Sequence, residues 1–281
     1  MLMTKALTYF YPDDPNPALH HVNFDLSKGQ VIGLVGANGS GKSTLFMNLL
    51  GLLKPTTGSV MWNEQVLNYD KKSLLQLRQY VSMVFQDPNQ QIFYSNIEDE
   101  LAFALRNLAI PEDEIARRIE KALQLVGGQT LRHKPIQYLS YGQKKRIAIA
   151  GALMLESPYL LLDEPTAGLD HEGCQQIIDI IQAISAQGTR IVISSHDIDL
   201  IYQISDYLYV LHKGLVLAEG NPQAVCTQTE LMQQAKLDQP WLVKLHLQLG
   251  LPLYQNEQQL FASGLTHSNS SFKTNSYFKT N

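Results

Sequence analysis

The octapeptide Gly36-Ala37-Asn38-Gly39-Ser40-Gly41-Lys42-Ser43 restricts what this chain can fold into more than any other feature. It fits the pattern G-x-x-x-x-G-K-[ST] in full, and Thr44 follows. At background residue frequencies roughly one chain in a hundred of this length would match by chance, so the flanks decide. Before it runs Val31-Ile32-Gly33-Leu34-Val35, a buried-strand pattern; after it Leu45, Phe46, Leu49 and Leu50 mark a helix that Gly51 stops. Strand, glycine-rich turn and helix in that order make a cradle for nucleotide phosphates. Glycines let successive N–H groups turn inward toward phosphate oxygens, and the helix start adds its positive end. In this reading Gly36, Asn38, Gly39, Ser40, Gly41 and Thr44 wall the nucleotide. Lys42 brings a mobile cation to the β- and γ-phosphates, and the Ser43 hydroxyl ligates Mg²⁺.

Leu160-Leu161-Leu162-Asp163-Glu164-Pro165 places two carboxylates at the C-terminal end of a second buried strand. Open α/β sheets bind ligands at that edge. Asp163 is the candidate to hold Mg²⁺ through its waters. Glu164 is the candidate to polarise the water that attacks the γ-phosphate. His196 follows the strand Arg190-Ile191-Val192-Ile193-Ser194 and reaches the same edge, where hydrogen bonding alone suffices for a γ-phosphate contact. In Leu139-Ser140-Tyr141-Gly142-Gln143, Ser140 and Gln143 spell a capping box at the start of an apolar helix. The same start, with Gly142 beside it, offers free amides and a hydroxyl to an anion, and the two readings are compatible. If that anion were the chain's own nucleotide, the loop would compete with Lys42 for space; another molecule's nucleotide is the alternative.

Around these motifs the pattern alternates strands with helices, which implies a parallel sheet covered on both faces. Residues 19–26 and 59–62 read as strands, 176–184 as a helix, and 207–211 with 215–218 as a hairpin about Lys213-Gly214. Between them Ile97, Leu101, Leu105 and Leu108, then Ile115, Ile119, Leu123 and Val126, repeat at helical spacing. A helical insertion is therefore expected over about 87–153. Trp241, Leu242, Leu245 and Leu249 form one further stripe, read as core or dimer packing. From Gly264 the tail is rich in Ser, Asn and Thr and is expected to be disordered.

Taken in order, residues 36–43, Gln86, 139–143, Asp163-Glu164, Ala167-Gly168-Leu169-Asp170 and His196 resemble the motif set of the ATP-binding-cassette ATPases, over about 2–220. The resemblance implies an α/β fold with a RecA-like parallel core, an N-terminal antiparallel β subdomain, an inserted helical subdomain and a short extension over 221–263. It also implies two cassettes head to tail, a second copy or a close paralogue, each ATP held between the phosphate loop of one and the signature of the other. On the matching positions, Tyr11 resembles the aromatic that stacks on adenine, Gln86 the glutamine that senses Mg²⁺ and the attacking water, and Asp170 the aspartate at the dimer seam. Glu164 resembles the general base and His196 the switch histidine, while Ser140, Gly142 and Gln143 belong to the signature. The signature departs from the common form at Tyr141, where glycine is usual. Phe85-Gln86-Asp87-Pro88-Asn89-Gln90-Gln91-Ile92-Phe93 is similar to the glutamine loop of energy-coupling-factor importers, and Tyr11-Pro12-Asp13 fits the same group. Tyr141, Lys144-Lys145-Arg146 and residues 241–246 look closest to the cobalt-type subunit, the CbiO family. That implies a membrane scaffold and a substrate-binding membrane subunit as partners, at the cytoplasmic face of the membrane.

Composition agrees with these expectations and narrows them. Twenty-two Lys+Arg against 26 Asp+Glu give a net charge of −4, which argues against bulk coating of nucleic acid. Two cysteines exclude a disulfide framework. No apolar stretch approaches the ~20 residues that cross a bilayer. The eight histidines are scattered, and strand alternation is expected to send His20 and His21 to opposite faces. Cargo selection is therefore expected in the membrane partners. A nucleic-acid-handling cassette is the competing class, and another transporter cargo (nickel, a vitamin) the competing substrate.

Overall fold

Apolar runs with no polar alternation, such as 31–35, stay out of water only when both faces of their sheet are covered. The computed structural model describes residues 1–263 and meets that demand; the disorder expected from Gly264 onward lies outside them. β1 (Leu2–Tyr9) and β2 (Leu19–Asp25) lead to β3 (Val31–Val35), α1 (Lys42–Leu49), β4 (Thr57–Trp62), β5 (Gln65–Val66), α2 (Lys71–Tyr80) and β6 (Val81–Val84). Then come α3 (Ile97–Asn107), α4 (Glu112–Leu125) and α5 (Tyr141–Leu153), with no strand between them. β7 (Tyr159–Asp163), α6 (His171–Ala186), β8 (Arg190–Ser195), α7 (Ile198–Ile204), β9 (Tyr207–His212) and β10 (Leu215–Gly220) resume the alternation. Four short helices follow: α8 (Pro222–Cys226), α9 (Thr229–Gln234), α10 (Trp241–Leu249) and α11 (Glu257–Ala262).

The strands form two sheets. A six-stranded sheet runs β10-β9-β3-β8-β7-β6, parallel throughout except for the antiparallel hairpin partner β10. A four-stranded antiparallel sheet runs β2-β1-β4-β5. Alternation along β7 divides the core. Leu160 and Leu162 pack into an apolar cluster with Leu101, Ile119 and Ile147 from the helices, whereas Leu161 packs with Phe24 of the antiparallel sheet and Phe46 of α1. The molecule is thus three-layered, with the parallel sheet in the middle. Leu161 is fully buried, so Leu161→Ala is expected to cost about 2–5 kcal/mol through lost transfer energy and a residual cavity. Chemical denaturation of the two proteins side by side measures this.

Several expectations need correction in detail. The helix expected over 176–184 begins earlier, at His171, because the Asp170 carboxylate caps it by accepting from Gly173 N at 2.8 Å. His20 and His21 do not sit on opposite faces. The β1–β2 register shifts between Tyr9 and Leu7, His21 takes a φ of 51°, and both exposed rings meet with centroids 4.5 Å apart. A bulge inserts one residue and cancels the alternation. In α10 it is Leu242 and Val243 that are buried, while Leu249 is exposed, so the expected stripe is rotated at its C-terminal end. The helices after β10 pack into the same apolar cluster as α3–α6, and Trp241 N donates to Asp199 Oδ1 at 2.7 Å.

Candidate functional site

The loop between β3 and α1 is built to leave donors free. Gly39 and Gly41 take φ values of 76° and 109°, and Gly41 is the N-cap of α1 with no side-chain hydrogen bond onto the helix. A Cβ at Gly41 would also stand 2.7 Å from Ala18 O, so both backbone angle and space demand glycine. The first-turn amides of α1 are therefore open to an anion. Lys42 follows at once; its Nζ donates to Gly36 O at 2.7 Å and Ala37 O at 3.4 Å. Burial pulls its pKa below the usual lysine value, and the nearby Glu164 and Asp163 carboxylates oppose that pull.

Sheet order brings the acidic edge to this loop. β8 lies between β3 and β7, and Asp163 pairs in register with Ser194. Asp163 accepts from Ser43 Oγ at 2.8 Å on one oxygen and from Ser194 Oγ on the other. A straight strand would send Glu164 to the opposite face. Glu164 instead adopts φ 46°, a left-handed turn, and its N–H donates to Ser194 O at 3.0 Å. The turn brings its carboxylate to the same edge, where Oε2 lies 2.8 Å from His196 Nδ1 and accepts from Ser195 Oγ at 3.5 Å. The other oxygen is 3.9 Å from Lys42 Nζ. Glu164 is buried, whereas the His196 side chain is 64% exposed.

Lys42, Ser43, Asp163 and Glu164 open onto one cavity of about 670 Å³, within the usual range for ligand sites, while His196 lies outside its lining and meets it through Glu164. Tyr11, Asn38, Gly39, Ser40, Gly41, Lys42, Ser43, Thr44, Gln86, Asp163 and Glu164 line it. The Tyr11 hydroxyl lies 3.1 Å from Thr44 Oγ1, and the ring stands edge-on to Tyr9. Ser43 and Asp163 offer hard oxygen donors, and Gln86 lines the same space. Among the described residues no three His, Cys, Asp or Glu side chains are grouped so as to hold a metal ion by themselves. So sparse a set of oxygens fits Mg²⁺, which keeps several waters and completes its shell with phosphate.

Ser140, Gly142 and Gln143 do not line this cavity. They start α5, where the capping box is fully formed: Gln143 N donates to Ser140 Oγ at 3.3 Å, and Ser140 N donates to Gln143 Oε1 at 3.0 Å. The Tyr141 hydroxyl reaches back and donates to Gln86 O at 3.3 Å, and Lys144 Nζ donates to Asn89 Oδ1 at 2.9 Å. Asp170 is committed to capping α6.

A model of the family described as ABC transporter matches residues 19–167. The cobalt import ATP-binding protein CbiO of Salmonella typhimurium is 59% identical over 261 residues, covering 93% of this chain and 96% of that protein. The chain belongs to the ABC transporter family. The energy-coupling factor transporter ATP-binding protein EcfA of Methanocaldococcus jannaschii is 41% identical, covering 86% of each chain. Among solved structures, cbiO1 from Clostridium perfringens, described as part of the ABC transporter complex cbiONQ, superposes with a TM-score of 0.75 at 37% identity, over 89% of this chain and 95% of that one. This cassette is accordingly an ATP-binding subunit of the CbiO/EcfA type, with the ATPase activity that membership entails.

Three side chains near the cassette's acidic edge act outside the motifs. Ser194 and Ser195 orient the two carboxylates, and their position just before His196 was the available signal. Lys145 was visible only as the middle of a basic triplet, yet it is 1% exposed.

Proposed function

We propose that this cassette is the ATP-hydrolysing subunit of an energy-coupling-factor importer for a transition metal, with cobalt as cargo. The observation that carries the reading is the separation of the two anion-binding helix starts. The start of α1 opens onto the 670 Å³ cavity, and the signature at the start of α5 does not. Tyr141 borders the Ser43–Asp163 side of the site, but Ser140, Gly142 and Gln143 line no part of the cavity at Lys42, so the nucleotide they serve is that of a second chain. The working unit is therefore a head-to-tail dimer with a second copy or a close paralogue, each ATP lying between Lys42 of one chain and Ser140, Gly142 and Gln143 of the other. Asp170 stands at the seam.

Within one site, the α1 amides and Lys42 hold the β- and γ-phosphates, with Tyr11 against the base. Ser43, Gln86 and Asp163 would hold Mg²⁺. When bound, that ion neutralises charge on the β- and γ-oxygens. Glu164 accepts the proton of the attacking water, and His196, bonded to Glu164, reaches the γ-phosphate. We assign 2–220 to the ATPase unit and 221–263 to the extension.

No helix among the described residues is long and apolar enough to cross a membrane, so transport needs membrane partners. A surface suited to them lies just beyond Gln86. Phe93, Tyr94 and Phe103 are exposed, with ring centroids 5.4–5.9 Å apart. An exposed aromatic cluster of this kind marks a docking site, here for a membrane scaffold at the cytoplasmic face. The CbiO name of the Salmonella relative supports cobalt as cargo.

The test is co-expression with the membrane subunits, followed by cobalt uptake into cells or vesicles. Uptake is expected only with the cassette present and ATP supplied, and the chain is expected in the membrane fraction only when its partners are made. Cobalt uptake that persists without this chain would sink the cargo assignment. Co-sedimentation with ribosomes or DNA in place of membranes would sink the transport reading.

A further inference from the structure

Lys145 is a charged side chain where charge is costly. Its exposure is 1%, and no carboxylate lies within ion-pair distance of it among the described residues. An apolar side chain of similar length would fill the space without desolvating an ammonium. What the ammonium does instead is bond two backbone carbonyls, Glu164 O at 2.8 Å and Pro165 O at 2.9 Å. Tyr141, one helical turn back, covers it with the ring centroid 5.7 Å from Nζ.

Those carbonyls belong to a backbone that needs holding. Glu164 sits at φ 46°, a region that disfavours residues with a Cβ and persists only when surrounding contacts over-determine it. The left-handed turn is also what brings the Glu164 carboxylate to the edge shared with His196 and Lys42. Relaxation of the turn would re-aim the carboxylate. Misplacement of a catalytic group by about 1 Å is enough to lose much of its effect.

We propose that Lys145 is a positioning residue for Glu164: from the helix that carries the signature, its ammonium clamps the Glu164 and Pro165 carbonyls and so fixes where the Glu164 carboxylate points. This deepens the ATPase reading and rests on Glu164 being the base. It also gives the signature helix two tasks. Its first turn serves the partner's nucleotide, and its second holds the hydrolytic edge of its own chain. Burial lowers the Lys145 pKa to about 8, against the raising influence of Glu164 and Cys174.

The test uses the purified full chain with Lys145→Met, which keeps bulk and removes the donors, and Lys145→Gln, which restores an N–H pair. ATP affinity is measured in EDTA and turnover in Mg²⁺. Lys145 touches none of the residues lining the nucleotide cavity through its side-chain bonds except at the Glu164 backbone. Methionine is therefore expected to leave ATP affinity within about twofold while turnover falls about tenfold or more. Glutamine is expected to bring turnover back to within about threefold of the parent. A folded methionine variant that turns over like the parent overturns the proposal. So does one whose loss lies in ATP affinity, or one that fails to fold, since the carbonyl contacts would then serve the fold and not the base. A folded glutamine variant as slow as methionine overturns it as well. Turnover of the parent chain in the same assay separates these outcomes from a failure of the ATPase reading, which a silent parent would signal.

Discussion

Glu164→Gln is expected to lower ATP turnover by roughly 10²–10⁴-fold, the range supplied by a positioned general base. The amide matches the carboxylate in size, so the buried pocket below the strand end is not emptied. What is lost is the proton acceptor. The Oε2 atom that now lies 2.8 Å from His196 Nδ1 becomes one end of a neutral amide, and the oxygen facing Lys42 at 3.9 Å loses its charge. Neither change touches the α1 amides. Nucleotide is therefore expected to bind and remain uncleaved, and a dimer closed around it should accumulate. Phosphate release with and without the substitution measures the first effect, and size-exclusion chromatography in ATP shows the second. Parent-like turnover would remove Glu164 from the role of base.

Lys42→Ala acts at the other end of the same reaction. A charge-assisted hydrogen bond to phosphate is worth about 1.5–3 kcal/mol, so ATP affinity is expected to fall roughly 10- to 150-fold. The real loss should sit toward the upper end of that range. Without the ammonium, Asp163 and Glu164 face the incoming polyanion without the cation that now stands 3.9 Å from Glu164. The substitution also removes the Lys42 Nζ bonds to Gly36 O and Ala37 O, so a modest fall in thermal stability is expected beside the loss of affinity. Isothermal titration with ATP decides the matter, and an unchanged dissociation constant would contradict the phosphate-loop assignment.

What could be read from the sequence depended on whether the signal was local. The phosphate loop, β3, β7 and β8 carry theirs within a few residues: glycines at fixed offsets, or unbroken apolar runs. The capping box at Ser140 and Gln143 likewise formed as spelled. β1 went unread because Ala6, at φ 44°, breaks its alternation with a register shift against both neighbours. α2 is hard to read because its apolar stripe is short and shallow: Leu74, Leu77 and Tyr80 face the core, only Leu77 is fully buried, and lysines, glutamines and an exposed Leu75 surround them; Asp70, which caps it, is the second mark. β6 follows α2 with no turn between them, so its four buried residues lack the punctuation that marks a strand.

The site divides in the same way. That Asp163, Glu164 and His196 share an edge follows from strand ends alone. That Ser43 bonds Asp163, or that a left-handed turn at Glu164 delivers it to His196, depends on the order β3-β8-β7 and on one backbone angle. Neither is written in local spacing. The burial of Lys145 is a tertiary fact of the same kind, since its neighbours Lys144 and Arg146 bear similar charge and stay accessible.

The tyrosine that replaces glycine in the signature has a mechanical consequence. Its hydroxyl grips the main chain of Gln86 while Lys144 holds Asn89 three residues further on, so two rivets join the front of one helix to the glutamine segment. If the proposed scaffold docks on the exposed rings at Phe93, torque applied there would be passed to both parts together. On that proposal the two bonds would leave little slack between the docking face and the start of α5.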